Sequence, residues 1–179
     1  MIDMIERMIT RSPHLTLTQA GFSGVNLHGG GNGIYTPIAG GVRQGCSARP
    51  IYYGMLLAGQ LAGAAMVPAE MDTQGVNATA YAAKGRDDLQ IAIFNKEEQQ
   101  PVRVEVNPSF SSRHVAIWRL TAPSVDSRSG VTLAGAEVNR DGAWAPAKAE
   151  TAAQKRGRLT LEAPAASAVM VWLRWESRS

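Results

Sequence analysis

The sequence predicts a mainly β protein: an antiparallel β-sandwich preceded by a single βα unit. Three observations predict it. After Pro68 the chain alternates short apolar runs with turn dipeptides, as strands joined by tight turns do. Before Pro68 a short apolar strand, Gly24–Leu27, runs through a glycine-rich loop into an apolar helical stretch. A length of 179 residues, 45% of them hydrophobic, holds one ordinary domain, or a domain plus a fragment of another.

The elements follow in order. Residues 1–14 suggest a short amphipathic helix, apolar at positions 1, 2, 4, 5, 8 and 9 and stopped near Pro13. The early acids there do not fit a signal peptide. Residues 15–27 lead into the apolar strand, and residues 28–49 read as a long loop. Pro50 stands where a helix accepts proline, at its first position, and the helix is expected from Ile51 to Met66. Gly54, Ala58, Gly59, Ala62 and Gly63 give it a small-residue face that permits close approach to a neighbour, at a cost in intrinsic helicity. This apolar stretch includes Gln60 and three glycines and is short for a bilayer span, so a buried helix is expected.

Strand–loop–helix is one βα unit, and one unit cannot bury both faces of its own strand. The later strands are expected at Ala78–Lys84, Leu89–Asn95, Val102–Val106, His114–Leu120, Val131–Ala134, Arg158–Glu162 and Ala168–Trp175. Lys84-Gly85, Asn107-Pro108, Ser129-Gly130 and Asp141-Gly142 separate them. Val102, Val104 and Val106 alternate with Arg103 and Glu105, as on a half-exposed strand. Ala143 to Ala153 is the loosest segment.

The chemistry concentrates before the sandwich. His28-Gly29-Gly30-Gly31-Asn32-Gly33-Ile34-Tyr35 follows the first strand. Its glycines let backbone approach a ligand, and His28 and Tyr35 offer hydrogen bonds at the edges. From Arg7 to Ala69 there is no Asp or Glu, whereas Arg7, Arg11, Arg43 and Arg49 fall inside that window. Chance would place about five acids there, given 15 in 179 residues. Such a loop suits an anion such as a carboxylate and lacks the commonest general acids and bases. It reads as the rim of a small-molecule site, with any catalytic carboxylates elsewhere. A loop of this kind also serves simply as a turn, and that alternative stays open. A dinucleotide-type phosphate loop is disfavoured, because no helix begins inside the glycine run.

Other functions find little support. Cys46 is the single cysteine, which excludes an internal disulfide, and no Cys–His–Asx arrangement makes it a nucleophile. Three histidines without ligand spacing argue against zinc. The formal charge of +3 is small, and the one basic cluster, Lys155-Arg156-Gly157-Arg158, lacks stacking aromatics and argues against nucleic acid. The adjacent pairs Asp87-Asp88 and Glu97-Glu98 point different ways in a turn and make poor acid/base dyads. Trp118, Trp144, Trp172 and Trp175 could line a sugar-binding surface, but they read first as core anchors, and His114 as structural.

The run GVNLHGGGNGIYTPIAG, followed by RPIYYGMLLAGQLAG, resembles the bacterial β-glucuronidases and heparanase-like enzymes of glycoside hydrolase family 79. The later part resembles that family's C-terminal β-domain, through LTLEAPAASAVMV near the end. The resemblance covers roughly residues 15–175 and is strongest from Ala20 to Gly63. It implies that Gly24–Leu27 is the eighth strand of a (β/α)8 barrel and Ile51–Met66 its eighth helix. Residues 1–67 would then be a barrel remnant and 68–179 the sandwich domain. It also implies that His28 lines a glucuronic acid subsite, with backbone groups of Gly33 and Ile34 and the Tyr35 hydroxyl facing the uronate.

The family's retaining mechanism uses two glutamates, on the fourth and seventh barrel strands. Both precede the part of the family that this chain resembles. Glu6, the sole glutamate ahead of the loop, matches neither, so no catalytic residue is assigned. The expectation is a C-terminal fragment of a β-glucuronide hydrolase, inactive alone, with no cofactor. Its expected partners are a glucuronic-acid-containing carbohydrate and the missing barrel segment, not nucleic acid or membrane. The alternatives are a non-catalytic module binding acidic carbohydrate and a purely structural sandwich.

Overall fold

The computed structural model describes residues 36–41, 45–147 and 149–175. They form eleven strands and one helix, mainly antiparallel β, as the sequence predicts. Strands β1 (Ile38–Gly41) and β2 (Gly45–Ala48) make a small hairpin, pairing Ile38 with Ala48 and Gly41 with Gly45. Sequence reading placed only loop here, because glycine carries no strand preference. Gly40 adopts a φ of +98°, and a Cβ on it would collide with the Gly45 carbonyl, so the hairpin demands glycine at that point.

Helix α1 (Pro50–Gly59) starts at its proline, as expected, but ends well before Met66. Two forces stop it. Gly63 turns the backbone to a φ of +81°, and the next residues join a ladder. Strand β3 (Ala65–Val67) pairs with β4 (Ala78–Lys84), setting Met66 opposite Ala83. Ladder hydrogen bonds outweigh the weak helicity of a glycine-rich segment.

The main sheet has seven strands, all antiparallel. Its order is β3, β4, β5 (Asp88–Asn95), β11 (Ser167–Arg174), β7 (His114–Thr121), then β8 (Thr132–Leu133), with β9 (Glu150–Ala152) also on β7. β6 (Val102–Val106) and β10 (Leu159–Ala163) make a second, two-stranded sheet that pairs Val104 with Leu161. The predicted strands at 78–84 and 102–106 match residue for residue. β9 arises inside the segment read as loosest.

Each face of the main sheet has its own cover. One face meets the small sheet: Ile91, Ile93, Val115, Ile117, Val169, Val171 and Leu173 pack with Leu159, Leu161 and Ala163. The other meets α1 and the turn after it: Tyr53 and Leu57 of the helix and Leu61 beyond it, spaced four apart, pack with Tyr81, Phe94, Leu120, Leu133 and Met170. Gly59 at the helix end and Ala62 and Gly63 after it are exposed, while Gly54 and Ala58 are half-buried. Tyr53 adds a polar tie, its hydroxyl accepting the Val138 N–H at 2.9 Å.

Two polar knots close the sandwich. Asn95 is fully buried, and its Nδ2 donates to the carbonyls of Gln100 (2.8 Å), Ala163 (3.1 Å) and Pro164 (2.9 Å). Its Oδ1 accepts the Glu97 N–H at 3.0 Å, so one side chain joins the end of β5 to the β10–β11 turn. Arg119 Nε reaches Glu150 Oε1 at 3.0 Å and its Nη1 donates to the Glu162 carbonyl, linking β7, β9 and β10. Among the described residues no helix is long and apolar enough to cross a membrane.

Candidate functional site

The four residues singled out for substrate recognition, His28, Gly33, Ile34 and Tyr35, lie outside the described residues, as does the strand before them. The structure does describe where that loop leads. Thr36, the next residue, is 2% exposed. Its hydroxyl donates to the Ile38 carbonyl at 2.9 Å and accepts from Arg49 Nη1 at 3.0 Å. The Arg49 N–H donates to the Pro37 carbonyl at 2.9 Å. The downstream end of the glycine loop is thus fastened to the residue that opens α1.

Arg49 stands at the N-cap of α1, no side chain caps the helix, and its first turn carries no acid. The first turn itself thus supplies no carboxylate to the partial positive charge of the helix start. Thr36 is thereby tied to an arginine at a helix start.

A second concave feature lies on the helix-side face of the main sheet, beyond the end of α1. It is a groove of 680 Å³ lined by Asp88, Arg113, His114, Ala116, Thr151 and Trp172, with Arg174 at its edge. The register builds it. His114, Arg174 and Asp88 form one row across β7, β11 and β5. Ala116, Trp172 and Gln90 form the next, with Thr151 of β9 opposite Ala116. Ala116 is small between a tryptophan and a threonine, and that difference in size makes the trough.

The tryptophans read as core anchors have mixed roles. Trp118 meets Trp172 edge-on, with ring centroids 4.6 Å apart at 62°, and meets Trp144 at 5.4 Å. All three pack partly buried against the helix-side core. Trp172 also lines the groove. Trp175 packs instead against Phe110 at 5.8 Å, with the Lys84 ammonium over its ring. Trp144 Nε1 and Gln90 Oε1 are buried without a hydrogen-bond partner among the described residues.

The acidic pairs serve the scaffold. A Glu97 carboxylate oxygen accepts the Asn77 N–H at 2.8 Å, and its carbonyl accepts from Ala166 N. Asp88 Oδ1 accepts from Gln90 Nε2 at 3.1 Å. Among the described residues Asp88 is the only carboxylate lining the groove, and they form no acid/base pair there. Sequence reading missed Ala116, Arg113 and Arg174, because they meet only through strand register. The signal present was Trp172 and Arg174 two apart on one strand, hence on one face.

Comparison with known proteins follows this geometry. Residues 53–170 match the glycosyl hydrolase family 79 C-terminal beta domain. The match begins inside α1 and runs to the middle of β11. No curated protein matches the chain. Among solved structures, the chain is similar to a 4-O-α-L-rhamnosyl-β-D-glucuronidase from Fusarium oxysporum 12S, solved as a Rha-GlcA complex. The TM-score is 0.59 at 24% identity, over 71% of this chain and 30% of that one. It is also similar to an α-L-arabinofuranosidase from Thermotoga maritima, solved as an arabinose complex, with a TM-score of 0.58 at 13% identity, over 79% of this chain and 32% of that one. At these identities the likeness is one of fold, and the chain spans about a third of the length of either protein. The family match covers well over half of the chain, which therefore belongs to the glycosyl hydrolase family 79 C-terminal beta domain family.

Proposed function

We propose that this chain is the C-terminal part of a hydrolase of β-glucuronides, supplying the loop that recognises the glucuronate carboxylate and a supporting β-domain. Residues 1–67 bring the last barrel strand, the loop and the last helix, their final three residues also pairing into the main sheet as β3. Residues 68–179 bring the rest of the β-domain. His28 lines the glucuronic acid subsite. Backbone groups of Gly33 and Ile34 and the Tyr35 hydroxyl face the uronate. The bond-breaking glutamates belong to barrel strands upstream of these residues, so the chain alone does not hydrolyse.

The family match over residues 53–170 is the observation that carries this reading. Surface chemistry supports it. The two large apolar side chains left exposed among the described residues are Ile38 (47%) and Met55 (38%), on β1 and α1. Gly59, Ala62 and Gly63 are exposed nearby. Large apolar side chains exposed on the βα side fit a barrel packed there in the whole enzyme.

The test is the reading frame in the genomic DNA upstream. It is expected to encode seven βα units, with glutamates closing the fourth and seventh strands. In that whole enzyme Tyr35→Phe should raise KM for a β-glucuronide about tenfold and leave the matching β-glucoside unchanged, since only the former carries the carboxylate. An upstream region with no such frame, or a Tyr35→Phe variant indifferent to the carboxylate, overturns the reading.

A further inference from the structure

The groove on the helix-side face brings aromatic, cationic and hydroxyl side chains together. Trp172 presents an aromatic surface whose orientation is set by Trp118, itself held by Trp144. Ala116 leaves room beside that ring. Among the described residues the lining also brings the guanidiniums of Arg113 and Arg174, the Asp88 carboxylate and the His114 imidazole. Thr151 supplies a hydroxyl on the opposite side. The volume, 680 Å³, falls in the range of small-molecule clefts, which run from about 300 to 1,000 Å³.

We propose that this groove is an accessory binding site for a uronic acid residue of a polysaccharide, separate from the glycine loop. The apolar face of a pyranose ring lies on Trp172. Its carboxylate meets Arg174; a guanidinium suits a carboxylate better than any other side chain because its N–H groups match both oxygens. Asp88 and Thr151 take the sugar hydroxyls. A neutral sugar would use the ring and the hydroxyl partners but leave the Arg174 guanidinium unused. The site goes beyond the loop's function: it would hold the polymer on the β-domain and cleave nothing.

NMR titration of the 179-residue chain tests this, with methyl β-D-glucuronide as probe and methyl β-D-glucoside as the neutral control. The glucuronide is expected to shift the Ala116, Thr151 and Arg174 amides and the Trp172 indole, and to bind at least about fivefold more tightly than the glucoside. Arg174→Ala should remove that preference while leaving the glucoside unchanged. Arg174 is exposed at the end of β11, so this variant keeps the fold. Trp172→Phe, which preserves an aromatic face, should weaken both sugars and abolish neither. Tyr35→Phe should leave all these shifts in place, which separates the groove from the loop. Equal affinity for the two glycosides, shifts confined to other residues, or an Arg174→Ala variant that keeps the preference would overturn the proposal, without touching the reading of the loop.

Discussion

The two faces of the main sheet are built from the same strands and differ in kind. β11 displays the difference within eight residues. Val169, Val171 and Leu173 point at the small sheet and are all fully buried. Ala168, Met170, Trp172 and Arg174 point the other way and grade from fully buried to exposed. The core of the sandwich face is mostly aliphatic, with the polar knots of Asn95 and Arg119 beside it, because β-branched and leucine side chains interdigitate well between two pleated surfaces. The helix face mixes aromatic, small and charged residues, because a ten-residue helix covers only part of it. One face is sealed and carries stability. The other has a covered end and an open end, and both features of functional interest, the loop anchor and the groove, lie on its side.

The largest expected effects separate adjacent residues. Leu173→Ala should destabilise the chain by about 2–5 kcal/mol in denaturant unfolding, since it empties a fully buried site between the sheets. Arg174→Ala, one residue on and facing the other way, should change stability by no more than about 0.5 kcal/mol. Equal losses from both would break the contrast between the faces.

Asn95→Ala comes next. It leaves the carbonyls of Ala163, Pro164 and Gln100 without their shared donor, and should cost about 2–3 kcal/mol with a lower melting temperature. This sharpens the comparison, because it asks how much of the sealed side depends on one polar knot.

On the helix side, Tyr53→Phe removes the hydroxyl that accepts the Val138 N–H, at a cost of about 1 kcal/mol. The same hydroxyl has a pH signature. Burial, the first cause, raises the Tyr53 phenol above its ordinary value of 10.0; Glu137 nearby adds to the rise, and the Val138 bond opposes it. The folded state then holds this proton more tightly than the unfolded state. The associated stability is fully present below pH 10 and is lost as pH rises through the raised value. Thermal melts should show alkaline destabilisation that is weaker in Tyr53→Phe.

The smallest effect belongs to the surface. Arg158 and Glu105 pair at 3.1 Å, with side chains 63% and 47% exposed, so Arg158→Ala should alter stability by no more than about 0.5 kcal/mol.

Legibility in the sequence followed the physics of each element. β4 and β6 could be read to the residue, because alternation or an apolar run lies between strong turn signals. β9 could not, since Glu150-Thr151-Ala152 has little strand preference of its own and becomes a strand by pairing with Val115–Ile117. The β1–β2 hairpin was hidden by its glycines. The helix end was misplaced because Ala65–Val67 continues the apolar pattern, and only the ladder to β4 reveals it as strand. The glycine run read from composition and charge lies outside the described residues. The groove was not legible, because His114, Arg174 and Asp88 are far apart in the chain and meet only through antiparallel register.

We propose that recognition lies in this polypeptide and bond cleavage outside it. Hydrolysis of an aryl β-D-glucuronide by the purified 179-residue chain tests that division most directly. The expected result is no turnover above the uncatalysed rate at any pH. Glucuronide turnover abolished by substituting one of the chain's own carboxylates would contradict it.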